Sequence, residues 1–305
     1  MYEISVSVIV PNYNHAPYLE QRLNSILNQT YTDFELIIMD DCSLDESREV
    51  IDQYANHPKV SHIVYNEKNS GSTFKQWEKG IALAKGEWIW IAESDDWAEH
   101  NFLEELIRKT NGSPNTNLAF TQLYLVQERP QQVSARFEGK SLDNTLDGLS
   151  FVQNQMLPHL SIWNASQAIF RKAAFYKVSP EYLKYKLCGD WIFWSEISLL
   201  GDVFISGKFL SYFRKHAADV TTKTTASGLR FKEELQAITY LNELLQGFVQ
   251  NKGFFAYHFS NFYSVRHKIP NQAYQEIHSM YSEKVPLKER IIRQCRAIAG
   301  ELWRR

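Results

Sequence analysis

Two hydrophobic periods alternate over the first 92 residues, and that alternation leaves few folds open. Residues 4–10, ISVSVIV, form a short β-branched run that stops at Pro11 and Asn12. Such a run reads as a strand buried on both faces. From Tyr18 the period changes, with Leu19, Leu23, Ile26 and Leu27 at helical spacing. FELIIM, residues 34–39, is a second apolar run and ends at Asp40-Asp41. Ser43-x-x-Glu46 predicts a capping box opening a helix to about Tyr54. Val60–Tyr65 predicts a third strand. Phe74–Lys85 predicts a helix stopped by Gly86. WIWIA, residues 88–92, predicts a fourth strand, followed at once by Glu93-Ser94-Asp95-Asp96. Strand and helix in strict turn imply a parallel sheet with helices on both faces. Ligands of such α/β sheets bind beyond the carboxyl ends of the strands. Asn12-Tyr13-Asn14, Asp40-Asp41 and the Glu93–Asp96 cluster occupy those positions.

Beyond about residue 115 the regularity falls. Residues 127–150 are polar and turn-rich and read as a loop excursion, and 160–215 as mixed α+β. From about residue 225 a helical region begins, with Leu235, Ile238, Leu241, Leu244 and Leu245 at helical spacing in FKEELQAITYLNELLQGFVQ. The predicted organisation is one α/β domain over 1–220, regular over 1–115 and less regular over 116–220. A helical C-terminal extension covers 221–305. The formal charge of −2 provides no field for nucleic acid. Cys42, Cys188 and Cys295 are scattered and have neither metal nor disulfide-framework spacing, which points to a reducing cytoplasm. The N-terminus reads as lacking a signal peptide, and no stretch approaches the ~18 apolar residues of a membrane span.

Three carboxylates in four residues repel one another unless a cation or a set of donors neutralises them. Oxygen ligands favour Mg²⁺ or Mn²⁺. The other reading of the cluster is a solvated turn capping a helix that starts near Ala98. One carboxylate of Asp40-Asp41 could accept from a nucleotide, or the pair could form a turn. Asp190 stands among aromatic residues in LCGDWIFWSEI, where desolvation raises proton affinity and suits a general base. It could equally cap the helix that follows.

These stretches together resemble glycosyltransferase family 2, the inverting nucleotide-diphospho-sugar transferases of GT-A fold. The blocks that carry the resemblance are SVIVPNYNH, SILNQTYTDFELIIMDDCSLDES, NSGSTFKQWEKGIALAKGEWIWIAESDDW and CGDWIFW, within residues 4–216. The resemblance implies that Pro11 and Tyr13 line the nucleotide base, with Tyr13 stacking on it. It implies that Asp41 bonds the base, that Asp95 and Asp96 bind ribose and the metal–diphosphate, and that Asp190 is the catalytic base. Arg214-Lys215-His216 fits the family's basic and histidine pair, so His216 is a further candidate metal ligand. Glu93 stands where Asp is commoner, and Cys42 where Gly is usual. The implied partners are a nucleotide-diphospho-sugar donor, UDP-linked, and a saccharide or lipid-linked saccharide acceptor. The implied setting is cell-surface polysaccharide or lipopolysaccharide synthesis.

Two other classes compete. A hydride-transferring enzyme should carry G-x-G-x-x-G after the first strand, where this chain has PNYNH. A non-catalytic nucleotide- or sugar-binding module would keep the fold, but the presence of Asp95, Asp96 and Asp190 argues for chemistry. Residues 286–305 predict a basic amphipathic helix. It either meets an anionic membrane at the inner face of the cell membrane or packs on protein, the catalytic domain or a second copy.

Overall fold

Strand β1 (Ile4–Asn12) is buried from Val6 onward because it has a parallel strand on each side and helices cover both faces of the sheet. The chain is described by a computed structural model over residues 4–128, 131–136, 143–216, 220–246 and 252–302. Parallel to β1 run β2 (Phe34–Asp40) on one side and β4 (Gly86–Ile91) on the other, with β3 (Val60–Tyr65) outside β2. The connecting helices are α1 (Ala16–Leu27), α2 (Ser47–Asp52) and α3 (Thr73–Leu83). The short β5 (Trp97–Ala98) precedes α4 (Phe102–Thr110). Beyond these lie β6 (Thr116–Glu128), β7 (Gln131–Arg136), β8 (Asp143–Asp147), β9 (Ala168–Arg171) and β10 (Asp202–Lys215). Among the described residues they form one mixed sheet of order β3-β2-β1-β4-β9-β6-β10-β5, with β7 on β6 and β8 on β10. β9 runs antiparallel to both β4 and β6.

The chain divides into two compact units. The first holds residues up to 186 and 193–216. The second holds 187–192 and 217 onward, so Asp190 groups with the helical extension. The second unit contains helices Leu229–Leu244, Lys252–Ser264, Asn271–Lys284 and Leu287–Leu302. Phe231, Phe259, Phe262 and Tyr281 pack together in its core.

Several local expectations give way to tertiary structure. Residues 127–150 are not a loop where described, because β6 runs to Glu128 and is followed by β7 and β8. No helix starts at Ala98, which pairs with Ser211 of β10. Ser43 does not cap a helix. Its hydroxyl accepts from Asn14 N and Asn12 Nδ2, while Asp45 accepts from Ser47 N. Gly86 does not stop α3, which ends at Leu83, but opens β4.

The reason for Gly86 is close approach. Its amide donates to Ser7 Oγ at 2.7 Å, and Lys85 N donates to the same oxygen at 3.1 Å. Ser7 in turn donates to Glu35 Oε1 at 2.6 Å, which also accepts from Lys85 N. A Cβ on residue 86 would lie 2.4 Å from Ser7 N. Gly86→Ala should therefore destabilise by about 1–3 kcal/mol, the usual cost of overpacking, seen as a lower urea midpoint at unchanged slope. An unchanged midpoint would mean that the sheet parts here at no cost.

Candidate active site

The acidic turn follows β4 and faces inward along most of its length. Glu93 N donates to Ser166 Oγ at 3.0 Å, and that hydroxyl donates to Asp96 Oδ2 at 2.7 Å. Asp96 Oδ1 accepts from Arg214 N at 3.0 Å. Asp96 is wholly buried, and burial together with the charge of Asp95 pushes its carboxyl up. Glu93 accepts from Trp77 Nε1 at 2.9 Å, and burial pushes it up to about 8. Asp95 behaves oppositely. Burial opposes its ionisation, but the hydrogen bond from His216 and the neighbouring imidazoles outweigh that and hold it below the usual carboxylate range.

Asp95 meets two imidazoles. Its Oδ2 lies 3.1 Å from His216 Nε2. One ligand atom each from His15, Asp95 and His216 lies within 4.8 Å of the others. His15 is steered by Ser94 Oγ, 2.8 Å from its Nδ1, and its ring meets that of His216 with centroids 5.6 Å apart. Asp96, assigned above to the metal, is not one of these three; its oxygens hold Ser166 Oγ and Arg214 N. Two nitrogen donors and one ionised carboxylate fit a divalent transition ion better than Mg²⁺, which prefers oxygen alone.

Beneath the turn lies a cation that sequence reading missed. Arg22 on α1 is fully buried, its guanidinium 4.9 Å from the centre of the Trp90 ring, with none of its nitrogens hydrogen-bonded. Burial pushes it down to about 10, opposed by the charges of Asp96, Glu93 and Asp95, so it remains protonated. The available signal was an arginine on the apolar stripe Leu19, Arg22, Leu23, Ile26.

The β1 and β2 ends make the second wall. Asn12 Nδ2 donates to Asp40 Oδ1 and Ser43 Oγ. Pro11 is buried in β1, whereas Tyr13 is 44% exposed. Asp41 is buried and accepts from Ser70 N, Ser70 Oγ, Asn66 Nδ2 and Gln76 Nε2. A base N–H would share an oxygen already used by these donors. Cys42 takes the left-handed conformation, φ 63°, that glycine adopts without cost. Arg214 Nε donates to Asp95 O at 2.8 Å while its guanidinium lies over Tyr18 and Trp97.

Asp190 belongs to the second unit, in the first turn of helix Gly189–Leu199. Its Oδ1 accepts from Trp191 N at 2.8 Å. Burial pushes its carboxyl up to about 7, and the charge of Glu233 adds to the shift.

The model of glycosyl transferase family 2 matches residues 7–178, more than half of the chain. The chain belongs to that family. Glycosyltransferase GlyG of Streptococcus pneumoniae is 38% identical over 104 residues, which are 34% of this chain and 34% of GlyG. This stretch spans about a third of that relative's length. The crystal structure of S. aureus TarS with UDP-GlcNAc superposes with a TM-score of 0.66 at 19% identity, covering 94% of this chain and 83% of that one. The Pyrobaculum calidifontis mannosyltransferase PcManGT, solved with GDP-Man and Mn²⁺, gives 0.58 at 14% identity, covering 100% and 89%. The fold is thus GT-A, a mixed sheet with helices on both sides and a helical C-terminal region.

Proposed function

We propose that this chain is an inverting glycosyltransferase moving a sugar from a UDP-linked donor to an acceptor hydroxyl in cell-surface polysaccharide assembly. The observation that carries the reading is the convergence of His15, Asp95 and His216 just past β4. His15 and Asp95 lie within residues 7–178, which the family model matches, and His216 lies beyond them. A divalent cation bound there would offset charge developing on the leaving nucleoside diphosphate. Of Mn²⁺ and Mg²⁺, Mn²⁺ accepts the two imidazole nitrogens more readily. Tyr13 offers its exposed ring to the base, Pro11 shapes the wall beside it, and Asp41 orders the loop of Asn66 and Ser70 around it. Asp190 takes the proton of the acceptor hydroxyl as it attacks the anomeric carbon from the face opposite the leaving group. One displacement inverts the configuration. The ligands of the similar structures support a nucleotide-sugar donor, and TarS supports the UDP-linked class and the polymer setting. TarS is named a poly(ribitol-phosphate) β-N-acetylglucosaminyltransferase and was solved with UDP-GlcNAc.

The test is release of nucleoside diphosphate from a panel of UDP- and GDP-sugars, with Mn²⁺, Mg²⁺ or chelator, beside a saccharide acceptor series. Mn²⁺-dependent release that needs acceptor supports the reading. Donor binding without any turnover across the panel favours a binding module.

Among the described residues no helix is long and apolar enough to cross a membrane. A second observation concerns surface contact. In helix Leu287–Leu302, Leu287 is 64% and Ile291 49% exposed, and Cys295 one turn on is also exposed. Exposed Lys284, Lys288 and Arg296 flank them. Arg290 and Arg293 are engaged by Ser282 and Glu289, and Trp303, Arg304 and Arg305 lie outside the described residues. We read this stripe as a contact for an anionic lipid surface, each cation adding about 1 kcal/mol of screenable attraction. Full-length protein should sediment with phosphatidylserine vesicles at low salt and less at high salt, and Leu287→Asp/Ile291→Asp should not. Equal binding by both would assign the stripe to protein packing, including a second copy of the chain.

A further inference from the structure

We infer that Glu233 is a positioning residue for Asp190, so that the helical extension supplies the grip on the turn carrying the proposed base. The inference rests on Asp190 acting as base. It deepens that reading by naming what holds the base in place.

The turn is Leu187-Cys188-Gly189-Asp190, at the start of helix Gly189–Leu199. Amides at a helix start have no partner within the helix and must find one elsewhere. Here Leu187 N and Cys188 N both donate to Glu233 Oε2, at 2.8 and 3.0 Å. Glu233 comes from the second turn of helix Leu229–Leu244 and is 5% exposed. A buried carboxylate holding two amides is charge-assisted, short and directional. It fixes the backbone two and three residues before Asp190. The next residue of the same helix acts on the other flank. Glu234, also buried, accepts from Arg230 Nε at 2.7 Å and faces His258 Nδ1 at 3.3 Å. The His258 ring lies 5.7 Å, centroid to centroid, from that of Trp191, the residue after Asp190. Cys188 Sγ contacts Arg230 O. Asp190 is thus bracketed at 187–188 and at 191 by groups that one helix carries or orients. Adjacent buried glutamates are costly, and two amides and an Arg–His pair offset that cost here.

A displacement of about 1 Å at a reacting group can cost about 10²-fold in rate. Glu233→Ala removes the acceptor from two amides, that of Cys188 buried and that of Leu187 half-buried, and should lower kcat about 10–100-fold. KM for the donor and the affinity for UDP with Mn²⁺ should not change. Glu233→Gln keeps a carbonyl acceptor and should lose much less. In the Asp190→Asn background, Glu233→Ala should have no further effect, since residues acting as one unit are non-additive. Thermal unfolding of each variant shows that it is folded, and Glu233→Gln serves if the alanine variant is not. Wild-type kcat in both Glu233 variants, with Asp190→Asn inactive, would overturn the positioning role alone. So would a loss that multiplies onto Asp190→Asn, or one that weakens UDP binding equally. Near wild-type turnover in Asp190→Asn would overturn the base reading and the positioning role with it.

Discussion

Replacing Asp190 with asparagine is expected to lower turnover about 10²–10⁴-fold, the usual worth of a positioned general base. Binding of UDP with Mn²⁺ should be unchanged. The carboxamide keeps the shape and an oxygen to accept from Trp191 N. What it loses is a site for the acceptor's proton. The pH dependence supplies the second half of the expectation. A base works only when ionised, and burial pushes this carboxyl up to about 7. Turnover should therefore fall as pH drops through about 7 and level off above it. Single-turnover rates from pH 5.5 to 8.5 measure this. An acid limb that survives unchanged in Asp190→Asn would assign it to another group and leave Asp190 as a helix-start residue.

The other large effect is expected at Asp95. Mn²⁺ at ~100 times its dissociation constant should stabilise the wild type by about 2.7 kcal/mol. Asp95→Ala should abolish that gain, and His15→Ala should weaken it. Asp96→Asn should act differently, lowering stability even without metal, because Ser166 and Arg214 N lean on that carboxylate. The metal-free protein should also respond to pH. Glu93 is raised from 4.5 to about 8 in the fold, so the folded chain keeps a proton that the unfolded chain releases. Stability from this group is present below about 4.5 and declines as pH rises towards 8. Calorimetric titration of Mn²⁺ and urea midpoints at pH 5 and 8 measure both effects. Full metal-linked stabilisation of Asp95→Ala would remove the site from this position.

Three of the first four strands, β1, β2 and β4, were legible because a doubly covered sheet demands continuous apolar runs, and ISVSVIV, FELIIM and WIWIA have no other economical use. What was hidden depends on partners distant in sequence. Ser43 forms a correct local capping pattern, yet its hydroxyl is claimed by Asn12 and Asn14, some 30 residues away. Arg22 stands on the apolar stripe of α1, but the acidic charges that balance it come into reach only once the turn at 93–96 is folded. His15 lay inside a recognisable block but acquires meaning only once Asp95 and His216 arrive from far along the chain. Residues 127–150 look like loop because polar strands at the sheet's margin have little apolar content to show. The turn at Cys42 remained as tight as glycine would make it.

The knot of Ser7, Glu35, Lys85 and Gly86 has a bearing on how the sheet assembles. Apolar strands of similar composition tolerate sliding, since one valine replaces another at little loss. Here three strands share a single hydroxyl, and sliding β1 by one residue would turn Ser7 away from Glu35 and take the hydroxyl donor from that buried carboxylate. Mispaired intermediates are thereby made poor competitors. The register that Ser7 helps to fix also sets where the loops after β1, β2 and β4 stand at the carboxyl edge.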